Sequence, residues 1–260
     1  MAADAEPSAL GLPALVAKLR EAVATHDAAA CGCLAAELAE LGSEGSPAGQ
    51  RRRRELGDLG GEDSEALVAD LQELVREPPT ADEPEHLATA REAACIALGR
   101  LAAAAAAAVP ALAEGLLAPV PRPTSEKQRA ARTAAVFALA DLQDHVPADA
   151  LEPAAPALAS VLAGAGGDGE GARAIAAFVL GRLGELALAF LPLIMQVLDE
   201  PSTQIRLTAI GAIAGLGPAA FPTAERLSEL AADGSAEAEV REAAAAALES
   251  VNGSRAGGRD

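Results

Sequence analysis

AREAACIALGRL, residues Ala90 to Leu101, sets Arg91 ahead of Ala94, Ala97, Leu98 and Leu101, at offsets of +3, +6, +7 and +10. The same spacing returns behind Arg132 (Ala135, Ala138, Leu139, Leu142) and Arg173 (Ala176, Val179, Leu180, Leu183). It returns twice more, behind Arg206 (Ala209, Ala212, Ile213, Leu216) and Arg241 (Ala244, Ala247, Leu248, Val251). Successive arginines stand 41, 41, 33 and 35 residues apart, the period of a repeat architecture. Offsets +3, +7 and +10 share one stripe of an α-helix, with +6 beside it. Large residues on that stripe supply a core, and small ones let a neighbouring helix axis come close. A second amphipathic segment follows each first helix, often opened by proline: Pro110, Pro192 and Pro222. Proline suits a helix's first turn, where the N–H it lacks has no intrahelical partner. Gly181, Gly184, Gly215 and Gly217 fall near the ends of first helices, where tight turns are expected.

Composition agrees with this reading. Of 260 residues, 69 are alanine and 35 leucine, with no Trp, no Tyr and four Phe. Alanine and leucine lead the helix-propensity scales, whereas a β-sandwich or barrel of this length would lean on aromatic and β-branched residues. Val/Ile-rich runs suited to a buried parallel sheet are missing as well. The chain is expected to be all-α. A formal net charge of −18 repels phosphate backbones, which argues against nucleic acid and suits a protein partner with a basic face. Three cysteines are too few for a disulfide framework and fit a reducing compartment. The start MAADAEPSAL has no basic segment of the kind that opens a signal peptide. Arg182 and Glu185 interrupt the most apolar stretch, Ile175 to Leu198, which argues against a membrane span. The expectation is a soluble, intracellular protein, cytoplasmic by default.

Two helices of this size cannot bury their apolar faces alone, so the pairs must stack. The expected fold is a right-handed α-solenoid of about five helical hairpins with a C-terminal capping helix, continuous over residues 12–251. Asp27 to Leu41 fits the template with Asp27 in the arginine's place, and Ser64 to Glu77 reads as its partner helix. Between them, residues 42–63 read as a Gly/Ser/Glu-rich insertion loop. Glu77–Pro84 and Pro119–Ser125 read as proline-rich connections, Gly164–Gly171 as a glycine-rich one, and residues 1–11 and 252–260 as disordered tails. Ser125 and Gln128 have capping-box spacing. The run Ala102–Ala108 continues the helical phase and reads as an extension of the helix before it, ending in a turn.

DEPSTQIRLTAIGAIAGLG (Asp199 to Gly217) and AEVREAAAAALESV (Ala238 to Val251) each join an acidic loop, a β-branched residue, an arginine and an alanine/leucine helix. In this they resemble HEAT repeats, particularly the short type of bilin lyase subunits and deoxyhypusine hydroxylase. The resemblance runs from about Ala88 to Val251. It implies a solenoid architecture, and it says little about activity. Deoxyhypusine hydroxylase holds its iron through His-Glu dipeptides. This chain has none, and His26, His86 and His145 occupy different places in the repeat, so stacking is not expected to bring them together.

The remaining candidates are weighed by chemistry. Arg91, Arg132, Arg173, Arg206 and Arg241 read as a structural ladder bonded to loop carboxylates or carbonyls. Arg51, Arg52, Arg53 and Arg54 read as a docking loop for an acidic partner, as a weak nuclear-localisation patch, or as a solvated loop with no role. Cys31 and Cys33 would point about 200° apart on a helix and cannot share an ion, and Cys95 lies in a packed segment. Neither a nucleophile–base–oxyanion set nor a phosphate-binding glycine motif is present, so a non-catalytic chain with no cofactor is expected. The expected function is a scaffold or adaptor binding through its second helices, at Glu114, Met195, Gln196, Glu225, Arg226 and Glu229; Phe221 reads either as another large side chain available to that surface or as core. Two alternatives stay open: a bilin-lyase-like subunit holding a tetrapyrrole, and a permanent structural subunit of a larger assembly.

Overall fold

The computed structural model describes residues 10–43, 45–80, 82–117, 125–164 and 167–253. The expected tails and the 119–125 connection lie almost entirely outside them. Every regular element among the described residues is helical. Where the repeat spacing suggests one continuous array, the contacts group into two compact units, Met1–His145 and Val146–Asp260.

The first unit holds α1 (Leu12–Ala24), α2 (Ala28–Ala39), α3 (Pro47–Gly57), α4 (Gly61–Val75), α5 (Glu85–Arg100), α6 (Val109–Ala111) and α7 (Glu126–Leu142). Here α2 packs on α5 and α5 on α7, with α1 against α2 and α4 against α5. The second unit holds α8 (Ala148–Leu151), α9 (Ala155–Leu162), α10 (Glu170–Arg182), α11 (Leu191–Val197), α12 (Thr203–Leu216), α13 (Ala224–Ala232) and α14 (Ala238–Asn252). There α9 packs on α10, α10 on α12 and α12 on α14, with α11 beside α12 and α13 beside α14. Within each unit the arginine-bearing helices therefore meet in sequence order.

The +3, +6, +7 and +10 residues are buried in all five helices except for Leu248 on α14, which is half-buried. Close approach is concentrated at two further positions. A Cβ on Gly181 would stand 2.8 Å from the Ala212 Cα, and one on Gly215 would stand 2.9 Å from the Gly181 carbonyl oxygen. In the first unit a Cβ on Gly99 would come 3.1 Å from the Ala138 Cα. Gly99 and Gly181 both lie at +8, and Ala138 and Ala212 both at +6 of the next helix. One interlock thus recurs in both units. Gly181 and Gly215 serve this approach and not the turn expected of them, while Gly184 (φ 59°) and Gly217 (φ 58°) do make the turn.

Two expectations fail. The alanine run does not prolong α5: Ala102 takes φ 51° and opens a 3-10 helix over Ala102–Ala108. Gly184 and Gly217 open equivalent 3-10 segments, Gly184–Phe190 and Gly217–Thr223. The chain must reverse there, and the left-handed residue that permits it is glycine twice and alanine once, although an L side chain is disfavoured there by about 1–2 kcal/mol. Residues 42–63 are not an insertion loop either. Pro47 starts α3, Ser46 Oγ accepts the Gly49 N–H at 3.2 Å, and α4 begins as early as Gly61. A Cβ on Gly49 would stand 2.4 Å from the carbonyl oxygens of Glu40 and Ser43, so α3 lies hard against the chain before it.

Candidate interaction surface

Arg91, Arg173, Arg206 and Arg241 pair with carboxylates or carbonyls of their own units. Arg91 Nη1 stands 2.8 Å from Glu83 Oε1, both side chains nearly sealed at 4% and 3% exposed. Gln128 bonds the same carboxylate and donates from Nε2 to the Thr80 carbonyl at 2.8 Å. It also completes the capping box with Ser125. Burial holds the Glu83 carboxyl above its ordinary range despite the neighbouring guanidinium. Arg132 is buried too. In the second unit Arg173 donates from Nε to the Leu162 carbonyl and from Nη2 to Glu200 Oε1, both at 2.8 Å. Arg206 Nη2 donates to Glu237 Oε2 at 2.5 Å, and Arg241 Nη1 donates to the Ala236 carbonyl. Glu237 is held below its ordinary range by its own backbone N–H, by Thr203 and by Arg206.

Arg51 to Arg54 do not form a docking loop. They lie on α3, where Arg52 is 1% exposed: its Nη1 donates to the Leu10 carbonyl at 2.5 Å and to Glu55 at 2.8 Å, and its Nη2 to Glu37 at 2.9 Å. Arg53 Nη1 donates to the Leu41 carbonyl at 2.9 Å, and Arg51 Nε lies 3.6 Å from Glu55. Arg54 is the exposed member of the four.

Of the second-helix candidates, Glu114, Gln196, Glu225 and Glu229 are exposed, while Met195 and Arg226 are half-buried. Arg226 is engaged inside the unit, donating to Asp199 at 2.5 Å and Glu229 at 2.8 Å, and these bonds raise its pKa. Glu114 sits on a π-helical turn, Leu112–Leu116, where a Cβ on Gly115 would meet the Val75 carbonyl. The histidines contradict expectation in part, because the His26 and His86 rings meet edge to face at 6.1 Å. No group of three or more metal-ligating side chains gathers among the described residues. Cys31 and Cys95 are buried, and burial pushes both thiols up, away from reactivity; Cys31 donates to the His86 carbonyl at 3.2 Å. Cys33 is exposed.

The residues that sequence reasoning missed are Phe137 and Phe178. Phe137, Phe178 and Phe221 are 46%, 49% and 42% exposed, and Phe221 is therefore not core. Phe137 and Phe178 both lie at +5 of their repeats, off the buried stripe, where Arg91's helix carries Ile96. That offset was the available signal. Between α5 and α7 the outward faces leave a cleft of about 400 Å³. Cys95, Ile96, Ala134 and Phe137 line it, with Glu92, Arg100 and Asp141 among its charged members. Arg100 Nη1 lies 3.8 Å from Asp141.

By length and composition Thr203–Ala232 is apolar enough to cross a membrane. Within the second unit, however, it is broken at Gly217, and Ile205, Ile210, Ile213 and Leu216 are buried inside the protein. No family model and no curated protein matches the chain. Among solved structures, the crystal structure of an engineered protein from the Northeast Structural Genomics Consortium is similar, with a TM-score of 0.51 and 18% identity. The match covers 84% of this chain and 96% of that one, and it speaks to fold alone.

Proposed function

We propose that this chain is a HEAT-like α-solenoid acting as a soluble, intracellular, non-catalytic scaffold or adaptor for a protein partner with a basic face. The observation that carries the reading is the placing of phenylalanine. The chain has four Phe, and three of them are spent on the surface of a protein whose core is built from alanine and leucine. Exposed aromatic side chains anchor most protein interfaces, and a chain with so few has little other reason to leave them in water. The solenoid reading is supported by the sequence-order packing of the repeated helices and by the same +8/+6 interlock in each unit. The acidic charge selects a basic partner and makes the complex salt-sensitive.

Affinity purification of the tagged protein from its native cells, with mass spectrometry and a visible absorption spectrum of the eluate, tests this. A colourless protein partner in fixed stoichiometry, released as salt rises, is the expected result. A pigment or other small molecule with no protein partner would overturn it. Charge reversal by Glu225→Lys with Glu229→Lys is expected to weaken the complex, and an unchanged affinity would argue against an acidic docking face.

A further inference from the structure

The cleft between α5 and α7 differs from the rest of the repeat surface. Here two helices packed on each other both carry a large apolar residue at +5, Ile96 and Phe137, whereas in the second unit Phe178 of α10 is followed at that position by Gly211 on α12 and Ala246 on α14. Phe137 stands half in water at its wall. Glu92 and Asp141 lie beside the apolar surface, and Arg100 offsets only one of them. Glu92 makes no ion pair among the described residues. A volume of about 400 Å³ suits a few side chains and not a folded domain. We infer that this cleft receives a short segment of the partner protein, one that seats an apolar side chain against Phe137 and Ile96 and sets arginine or lysine against Glu92 and Asp141.

Charge complementarity chooses this occupant over the others. A second copy of the chain would bring another −18 to a surface already acidic, and such like-charge juxtaposition opposes docking. A nucleic acid meets the same repulsion. An arginine beside the anchor has two favourable contacts, the carboxylates and the face of Phe137. The inference rests on the scaffold reading and gives it an address.

The test uses the full chain and a fluorescein-labelled twelve-residue peptide with phenylalanine at its centre between arginines. Fluorescence anisotropy at low salt is expected to show saturable binding. Phe137→Ala should weaken it about tenfold, as loss of an anchor does, and Glu92→Lys with Asp141→Lys by a similar factor. Glu239→Lys with Glu249→Lys, the same change of charge at exposed positions of α14 on the other unit, should leave it nearly unchanged. Circular dichroism verifies that each variant keeps its helix content, and Glu92→Lys with Asp141→Lys carries the test if Phe137→Ala does not fold. Failure of the wild type to saturate would overturn the proposal. So would equal binding by Phe137→Ala, which would reduce the attraction to bulk charge, or an equal loss in the Glu239→Lys, Glu249→Lys pair. Concentration-dependent dimers that vanish in Phe137→Ala would assign the cleft to a second copy instead. A native partner still captured by Phe137→Ala would overturn this address and leave the scaffold reading standing, whereas a native eluate without any protein partner removes the scaffold reading itself.

Discussion

Arg91 in the first unit and Arg173 in the second hold the same place in the repeat, yet water treats them differently. Arg91 and Glu83 are both sealed away, and the Arg91 Nε finds no hydrogen-bond partner among the described residues. Arg173 reaches a carbonyl and a carboxylate, with Glu200 about one-third exposed at 34%. Sequence equivalence therefore does not carry energetic equivalence. A buried ion pair sets a large desolvation cost against a strong attraction, whereas a wet pair has little of either.

The largest expected effect breaks the equivalence directly. Arg91→Ala should lower unfolding stability by about 3–5 kcal/mol, because it strands a buried carboxylate. Arg173→Ala should cost about 1 kcal/mol. Urea denaturation of both variants checks this, and equal losses would erase the distinction. Replacing both partners, Arg91→Met with Glu83→Leu, should recover most of the loss, since an apolar pair of similar volume needs no desolvation.

The interlocks come next. Gly181→Ala should cost about 1–3 kcal/mol, because its methyl group would meet the backbone of α12. Gly99→Ala should cost less, since 3.1 Å leaves more room and one neighbour is the movable Asp141 side chain. Melting temperatures rank the two. Ala102→Gly should then raise stability by about 1 kcal/mol by relieving the left-handed alanine, and Gly184→Ala should lower it by a similar amount. A loss in Ala102→Gly would mean that the alanine makes contacts worth more than its strain.

The smallest effect is a difference of sign with pH. Glu83 is raised from its ordinary 4.5, so its share of stability is full below pH 4.5 and declines as pH rises through its shifted range. Glu237 is lowered from 4.5, so its share is present above that value and is lost as pH falls through its own shifted range. Glutamine mimics the protonated acid, so the stability–pH curves of Glu83→Gln and Glu237→Gln should both track the wild type at low pH. As pH rises, Glu83→Gln should become relatively more stable than the wild type and Glu237→Gln relatively less stable. Differences of the same sign at high pH would break the comparison.

The core was legible in the sequence because alanine and leucine at +3, +6, +7 and +10 act locally, through helix phase alone. Arg52 was illegible because its acceptors come from three places, Leu10, Glu37 and Glu55, and four consecutive arginines resemble a solvated run until such acceptors meet. Ala102 was illegible for the opposite reason: alanine favours helix, and only the match with Gly184 and Gly217 marks it as a turn. For the candidate surface, the acidic second-helix positions followed from helix phase, and most of them are exposed. The exposed phenylalanines did not, because Phe137 and Phe178 lie at +5, inside alanine/leucine helices whose buried stripe draws the eye, and Phe221 reads equally as surface or core until its exposure is seen.

The interlock has a genetic consequence. Duplicating the 41 residues from Arg91 to Ala131 would set Gly99 of one copy against Ala97 of the next, the same glycine–alanine pairing that meets at Gly99 and Ala138. Adding a whole block by duplication would thus keep this mating face, whereas a single methyl group added at Gly181 would meet the Ala212 backbone: at this interlock, length is the less constrained variable.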